Sequence, residues 1–496
     1  MARKHILKTK LRNRKVQQLE EATPAISMDD DERAQGGSTR WKSNLGIVVT
    51  LSISVLLGLV SGSLYGFGRY SQALRDALKI SQIQTQRLGI LLDVGNYIGH
   101  PLTGLIYDKL GPRVSCLSAA VIVFSSYGII HLAMMTNSSI PLWMVDAGFL
   151  GIGFGSGLGY VAGLGSTTKI CSKKDYLGSA IGLVTAAFAL SSTLVGITYH
   201  YAGLGSFFLL WAILVAFVNL LAALVIPKTL LQFFEISIDE IEPESDDSFH
   251  QSLDNDQEED IPPLVPSNES CSEGVDETSL LSPNEIILSE NRWVAWRRLD
   301  FWILFCAFAC VTGSGLFVIN NISTMAQSLG ENDSFVGMLV FLLSMSNVAS
   351  RILTGFLADA TNKVSLLGYA SALMTCGLLI SAIHSDVSTA LTLTVGMVGA
   401  AYGGSWVLII GILVNRYGKT HFGKDYGLVA MGPAISGMIF NSISARIYQN
   451  HVDDEDDGIC IGGDCYKRAF FLTASATTFG CVMAVVMNRS KREGFN

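Results

Sequence analysis

The chain has 496 residues, of which 49% are hydrophobic and 15% charged, with a formal net charge of −8 and a mean hydropathy of +0.41. A water-solvated core cannot use so large an apolar fraction, which excludes an ordinary soluble protein. Without a basic stripe of interleaved aromatics, nucleic acid is excluded as a partner, and membrane lipid is the expected solvent.

Residues 1–44 are polar and open with a basic run (Arg3, Lys4, Lys8, Lys10, Arg12, Arg14, Lys15). No short apolar stretch before a small-residue cleavage site follows, so they read as a cytosolic tail and not as a cleaved signal peptide. Apolar segments then recur at the length a helix needs to cross about 30 Å of hydrocarbon. They predict spans at 45–66, 88–107, 114–134, 142–166, 177–199, 205–227, 300–321, 335–357, 364–384, 389–413, 426–446 and 468–487. Backbone polar groups in lipid must be satisfied within each segment, so the spans are helices. The expected class is an all-α membrane protein of twelve spans in two six-helix halves, 45–227 and 300–487, followed by a tail at 488–496.

Charge is sorted by loop. Lys and Arg gather in the first tail, in alternate loops (Lys109, Arg113; Lys169, Lys173, Lys174; Lys363; Arg416, Lys419, Lys424) and in the last tail. Both ends are therefore expected in the cytosol. Arg69, Arg75, Lys79 and Arg87, in the presumed loop 67–87, dissent, as do Lys467 and Arg468. Two sequons, at Asn137 and Asn332, fall on the non-cytosolic side and are glycosylation candidates. That side also carries the run Asp453–Asp457, followed by Cys460 and Cys465, a disulfide candidate in an oxidising compartment.

The two halves share signals. Thr103-Gly104 followed by Asp108, Gly111 and Arg113 after the second span matches Thr354-Gly355 followed by Asp359 and Lys363 after the eighth, at an offset of 251. Lys174-Asp175-Tyr176 matches Lys424-Asp425-Tyr426 at an offset of 250. Two matches at nearly one offset imply duplication. In the first, a glycine allows close approach, a carboxylate follows and basic residues on a tight turn offer it partners, which makes a latch between halves. The bland alternative is that Asp108 and Asp359 only cap helices beside water.

These residues resemble the signature of the major facilitator superfamily, Gly104 to Arg113 closely and Gly355 to Lys363 more weakly. Gly423-Lys424-Asp425-Tyr426-Gly427 with Pro433 to Phe440 looks like the fungal monocarboxylate-transporter-homologue (Mch) and plant nodulin-like branch. The resemblance spans both halves but neither tail nor the central loop. It implies parallel halves, each of inverted three-helix repeats, about a central site.

Residues 228–299 are rich in Asp, Glu, Ser and Pro with no apolar period, the composition of a disordered cytosolic linker. Within them Asp276 and Leu280-Leu281 fit an acidic dileucine signal for a vesicle-sorting adaptor, against the alternative of a chance Leu-Leu. With the family resemblance, it points to the vacuole membrane.

Ionisable groups inside a bilayer are costly and hence candidates for the solute or ion path. Asp93, Asn96, Tyr97 and His100 form a polar stripe in the second span, and Asp93 there is a candidate for coupling, or else for a structural contact between spans. In the eighth span, Arg351 follows Asn347 by one turn. Proton-coupled monocarboxylate porters carry Asp and Arg at that spacing, so Asn347 departs from their pattern. Arg351 offers an anion a bidentate donor, or it neutralises Asp359. Asn320 and Asn321 end the seventh span, where they line the cavity or sit at the interface. Asp146 and Asp300 read as interfacial. Gly151, Gly155, Gly159 and Gly163 mark one face of the fourth span for close packing. Gly157-Leu158-Gly159 lacks a preceding strand and carries no nucleotide.

No catalytic or metal motif appears, so neither enzyme activity nor a cofactor or metal is expected. The expected function is secondary transport of a small solute, an organic anion among the candidates, by a monomer working through alternating access. Two alternatives stand beside it. One is a receptor or scaffold that does not transport, and the other is a proton-coupled monocarboxylate porter.

Overall fold

In the computed structural model the described residues are 30–136, 140–171, 174–239, 295–451 and 460–493. Among them, ten continuous helical runs are long and apolar enough to cross a bilayer. Two of these runs turn back at glycines with positive φ, Gly111 (76°) and Gly203 (68°). A side chain at either turn would be strained, and Pro112 adds a second break after Gly111.

Dividing the runs there gives twelve helices: α1 (Asn44–Leu78), α2 (82–110), α3 (112–135), α4 (Leu142–Cys171), α5 (177–202) and α6 (204–239) form the first half. The second half comprises α7 (Leu299–Ser328), α8 (Asp333–Ala360), α9 (Lys363–Ile383), α10 (Ser388–Tyr417), α11 (Phe422–Gln449) and α12 (Asp464–Glu493).

The helices overrun the apolar segments. The segment 67–87, expected as a loop, is almost wholly helical. The helix leading into α1 starts at Asp30, passes a 3-10 turn at Gly62–Gly66 and ends at Leu78. Tyr70, Leu74 and Leu78 are buried at four-residue spacing, so this amphipathic stretch packs on the bundle although its other face is charged. Ser81 and Gln84 then form a reciprocal capping box that starts α2 at once. Arg87, a dissenter from the charge rule, donates to Asp146 at 2.7 Å. Asp300 is held by Arg298 and Arg416, so both interfacial aspartates are ion-paired. At the other boundary, α6 runs past 227 to Asp239. Asn137 and the Asp276, Leu280, Leu281 signal lie outside the described residues.

Each half is internally tied. In the first, Thr50 meets Thr229, Tyr127 donates to Ser63 at 3.0 Å, and Trp211 donates to Thr198 at 2.9 Å. In the second, Thr375 donates to Thr477, Ser381 to Thr394, and Asn321 to Asn441 at 2.7 Å. Each such bond is worth about 0.6 kcal/mol in a membrane, a modest addition to the packing that holds each half together. The rim of the second half has a further clasp. Cys460 and Cys465 are disulfide-bonded, Gly462 N donates to Ser328 O, and Gly463 N donates to Asp386, both at 2.8 Å.

The glycine stripe of α4 divides its work. Gly151 and Gly155 pack on Ser126 and Val123 of α3, whereas Gly159 and Gly163 face Asn219 and Leu57 of α6 and α1. The helix sits at the centre of its half, with neighbours on every side.

Candidate functional site

With twelve spans, the start of α1 and the end of α12 share a face with the α2–α3, α4–α5, α8–α9 and α10–α11 connections. On that face two carboxylates cross from one half to the other. Asp108, near the end of α2, accepts from the backbone N–H of Gly423 at 2.9 Å and of Lys424 at 2.7 Å, at the start of α11. Asp359, near the end of α8, accepts from the N–H of Gly178 and, at 2.8 Å, of Ser179, at the start of α5; the Ser179 hydroxyl donates to it as well. A helix N-terminus has free N–H groups and a positive dipole end, so a carboxylate suits both positions.

Glycines let the backbones approach. A Cβ on Gly104 would lie 1.9 Å from Gly423 O, and one on Gly355 would lie 2.7 Å from Gly178 O. The hydrogen-bond partners of these carboxylates are helix N-termini, while Lys363 stays within electrostatic reach of Asp359 and Lys424 of Asp108. Arg113 is exposed and Lys363 half-buried. His421, half-buried in the turn before α11, has its pKa held below the usual value by burial and by the Lys424 charge.

This geometry corrects the second repeat. Gly178 and Gly423 occupy the same place, second residue of α5 and of α11, yet they are 245 positions apart. Asp175 is exposed in the turn before α5, whereas Asp425 is buried inside the first turn of α11. The Lys-Asp-Tyr match is therefore out of register, and duplication rests on the Gly–Asp pairs and the fold.

Towards the membrane centre the halves enclose a cavity. Tyr65, Asn96, Tyr97, His100, Tyr160 and Phe188 line it from the first half, and Arg351, Trp406 and Tyr426 from the second. Its free space is about 10 Å³, on the order of one water molecule. Arg351 is 2% exposed. Its Nη1 donates to Thr185 O across the seam at 2.8 Å, and its Nε donates to Asn347 Oδ1 at 3.0 Å. Among the described residues no carboxylate pairs with it, because Asp359, the partner considered from sequence, is spent on α5. A buried guanidinium held only by neutral acceptors keeps its charge available to a ligand.

The polar stripe of α2 is split by a π turn at Val94–Ile98. Gly95 in that turn lies against the α4 backbone, where a Cβ would meet Leu150 O at 2.2 Å. The wider turn rotates Asn96, Tyr97 and His100 into the cavity and leaves Asp93 exposed towards the opposite face. Asp93 there is within electrostatic reach of the Tyr65 and Tyr97 hydroxyls, which hydrogen-bond to each other at 2.7 Å. The His100 Nδ1 lies on the Asn96 carbonyl, which can only accept, so Nδ1 is the nitrogen that donates there. Asn320 is exposed and Asn321 serves the α7–α11 contact, so neither lines the cavity.

Polarity alone missed the rings. Tyr65, Tyr160, Phe188 and Trp406 look like lipid-facing aromatics in sequence. The available signal was indirect: Tyr160 sits in the glycine-rich α4, which has too little bulk for a peripheral helix.

The latch makes a checkable statement. Asp108→Asn or Asp359→Asn removes charge-assisted bonds worth roughly 1.5–3 kcal/mol each. A cysteine at Thr103, buried between cavity and latch, is expected to react roughly ten times faster or more with a soluble maleimide in either variant, a tenfold change being about 1.4 kcal/mol.

Two six-helix halves that meet around a central cavity of polar and aromatic side chains have the architecture of a membrane carrier. The family model of the Major Facilitator Superfamily matches residues 46–441 and 303–495. "Probable transporter MCH1" of Gibberella zeae is 23% identical over 90% of this chain and 90% of its own. "Protein NUCLEAR FUSION DEFECTIVE 4" of Arabidopsis thaliana is 25% identical over 38% of this chain and 34% of its own. Among solved structures, the proton:xylose symporter XylE bound to 6-bromo-6-deoxy-D-glucose superposes with a TM-score of 0.60 at 15% identity, covering 88% of this chain and 95% of that one. The chain belongs to the major facilitator superfamily.

Proposed function

We propose that the protein is a secondary transporter that moves a small organic anion across the vacuolar membrane by alternating access, with both chain ends in the cytosol. The observation that carries this reading is Arg351, a buried cation without a carboxylate partner on the wall of a cavity shared by both halves. The two Asp–helix contacts act as the cytosolic gate. In this state they are closed, and release of the solute to the cytosol requires both to part. The loop sorting of Lys and Arg supports the orientation. The acidic dileucine signal supports the vacuole, and changing Leu280 and Leu281 to Ala is expected to move a fluorescent fusion away from that membrane. Asn332, exposed at the start of α8 on the face opposite the latch, is a glycosylation site in this orientation.

The test is flux. Purified protein in liposomes is expected to exchange labelled small carboxylates across the bilayer, and to lose that exchange when Arg351 is changed to Gln. Binding without any exchange would favour a receptor or scaffold over a transporter.

A proton-coupled porter built like the monocarboxylate family lacks its acid at Asn347, since an amide takes up no proton. Asp93 is the remaining candidate for coupling from the α2 stripe. If it couples, Asp93→Asn flattens the pH dependence of flux while leaving exchange at a fixed pH within a few-fold. An unchanged pH profile removes Asp93 from the path.

A further inference from the structure

The cavity is more aromatic than recognition of a small anion requires. Six of its nine lining residues are Tyr, Phe or Trp. They come from both halves and touch across the seam. The rings of Tyr97 and Trp406 lie 29° from parallel with centroids 6.4 Å apart, and Tyr160 faces Tyr426 at 6.5 Å while resting on Phe188 at 4.4 Å. Here the Asn96 Oδ1 is buried without a partner, and Asn96 itself is 2% exposed, whereas the Trp406 indole N–H is turned to the Tyr402 hydroxyl. A buried amide normally finds partners. Together with the guanidinium of Arg351, which has neutral acceptors but no counter-charge among the described residues, Asn96 gives the cavity two polar groups that can meet a ligand.

The cavity is also nearly shut, so a ligand enters only as the rings part. A flat ring, one atom thick, needs the least parting and offers both faces to the aromatic walls. A puckered ring of the same size demands a wider gap and has no π face to present.

We infer that the transported anion is a planar aromatic carboxylate, its carboxylate on Arg351 and its ring between aromatic walls that include Tyr97 and Trp406. This rests on the anion reading above and narrows it to one chemical class. Asn96 then meets a polar substituent at the ring edge. Opening of the seam on either side would release the ring from one wall, which couples ligand exit to the rocking of the halves.

The test compares benzoate with cyclohexanecarboxylate, which share charge and carbon count and differ in planarity and π character. Affinities are measured by titration calorimetry on the detergent-purified full chain at pH 7. Two aromatic contacts make benzoate about tenfold tighter or more, and Trp406→Leu, which removes one of them, is expected to cut the benzoate-to-cyclohexanecarboxylate affinity ratio by roughly threefold or more. Equal affinity for the two probes in the unmodified protein overturns the aromatic inference and leaves the anion reading intact. This outcome needs no variant, so a poorly folded Trp406→Leu does not shield the idea. Binding of neither probe, or benzoate binding that survives Arg351→Gln undiminished, overturns the anion reading and the inference together.

Discussion

Replacing Gly104 by Val is expected to hold the carrier open at the latch and to reduce exchange by about 100-fold or more. The reason is steric and cannot be relieved by a rotamer. The first added atom would sit 1.9 Å from the Gly423 carbonyl and 2.4 Å from its carbon, both backbone, so the helices α2 and α11 must separate. Separation also breaks the bonds from Gly423 and Lys424 to Asp108. Two charge-assisted bonds at roughly 1.5–3 kcal/mol each account for that factor before the overlap is counted. Gly355→Val acts the same way through Gly178, because the second half repeats the contact. The readout is maleimide labelling at Thr103→Cys alongside flux. Normal flux in the Gly104→Val protein would show that the backbones need not meet there.

Arg351 and Asn347 give the second large effect, and its sign differs between stability and function. A buried guanidinium with only neutral acceptors has lost its hydration without gaining a counter-charge, so Arg351→Met is expected to raise the melting temperature of the bundle. The same change abolishes anion binding. Asn347→Asp works in the opposite chemical sense. The Asn347 amide oxygen is already 3.0 Å from Arg351 Nε, so a carboxylate in its place forms an ion pair. The melting temperature should rise, and anion affinity should fall by about 100-fold, because the new carboxylate competes for the guanidinium with the several kcal/mol typical of a buried pair. Acidification that protonates the introduced carboxylate returns the guanidinium to the ligand, so affinity recovers as pH falls. A variant that binds anions as the parent does, at every pH, would remove Arg351 from the site.

Much of the fold was legible because lipid imposes a simple rule on sequence. Spans had to be long and apolar, and each of the twelve expected segments coincides with a helix. What sequence missed lies where helices leave that rule. The extension of α1 to Leu78 is amphipathic and charged, so hydropathy ended the span early, although Ser81 and Gln84 already marked the start of the next helix. The π turn was invisible in sequence, and it separates Asp93 from Asn96, Tyr97 and His100. Periodicity assumes a uniform turn, and here Gly95 against α4 makes the turn wider.

The latch shows a similar limit. Gly104, Asp108, Gly355 and Asp359 were recognisable by type and spacing. Their partners are backbone N–H groups, which every residue carries and no sequence pattern marks. The Lys-Asp-Tyr coincidence misled for the converse reason. Identical side chains stood out, whereas the equivalent atoms belonged to Gly178 and Gly423. In the cavity, charge drew attention to Arg351, but aromatic rings read alike whether they face lipid or ligand.

Paired spin labels test rocking of two rigid halves most directly. One pair joins Ile83 and Asn332 across the rim opposite the latch, and the other joins Lys109 and Thr420 across the latch face. On addition of a transported carboxylate, the rim distance should shorten as the latch distance lengthens, in the same population of molecules. Distances that change in the same sense, or a latch pair that never moves while solute crosses, would contradict alternating access through this seam.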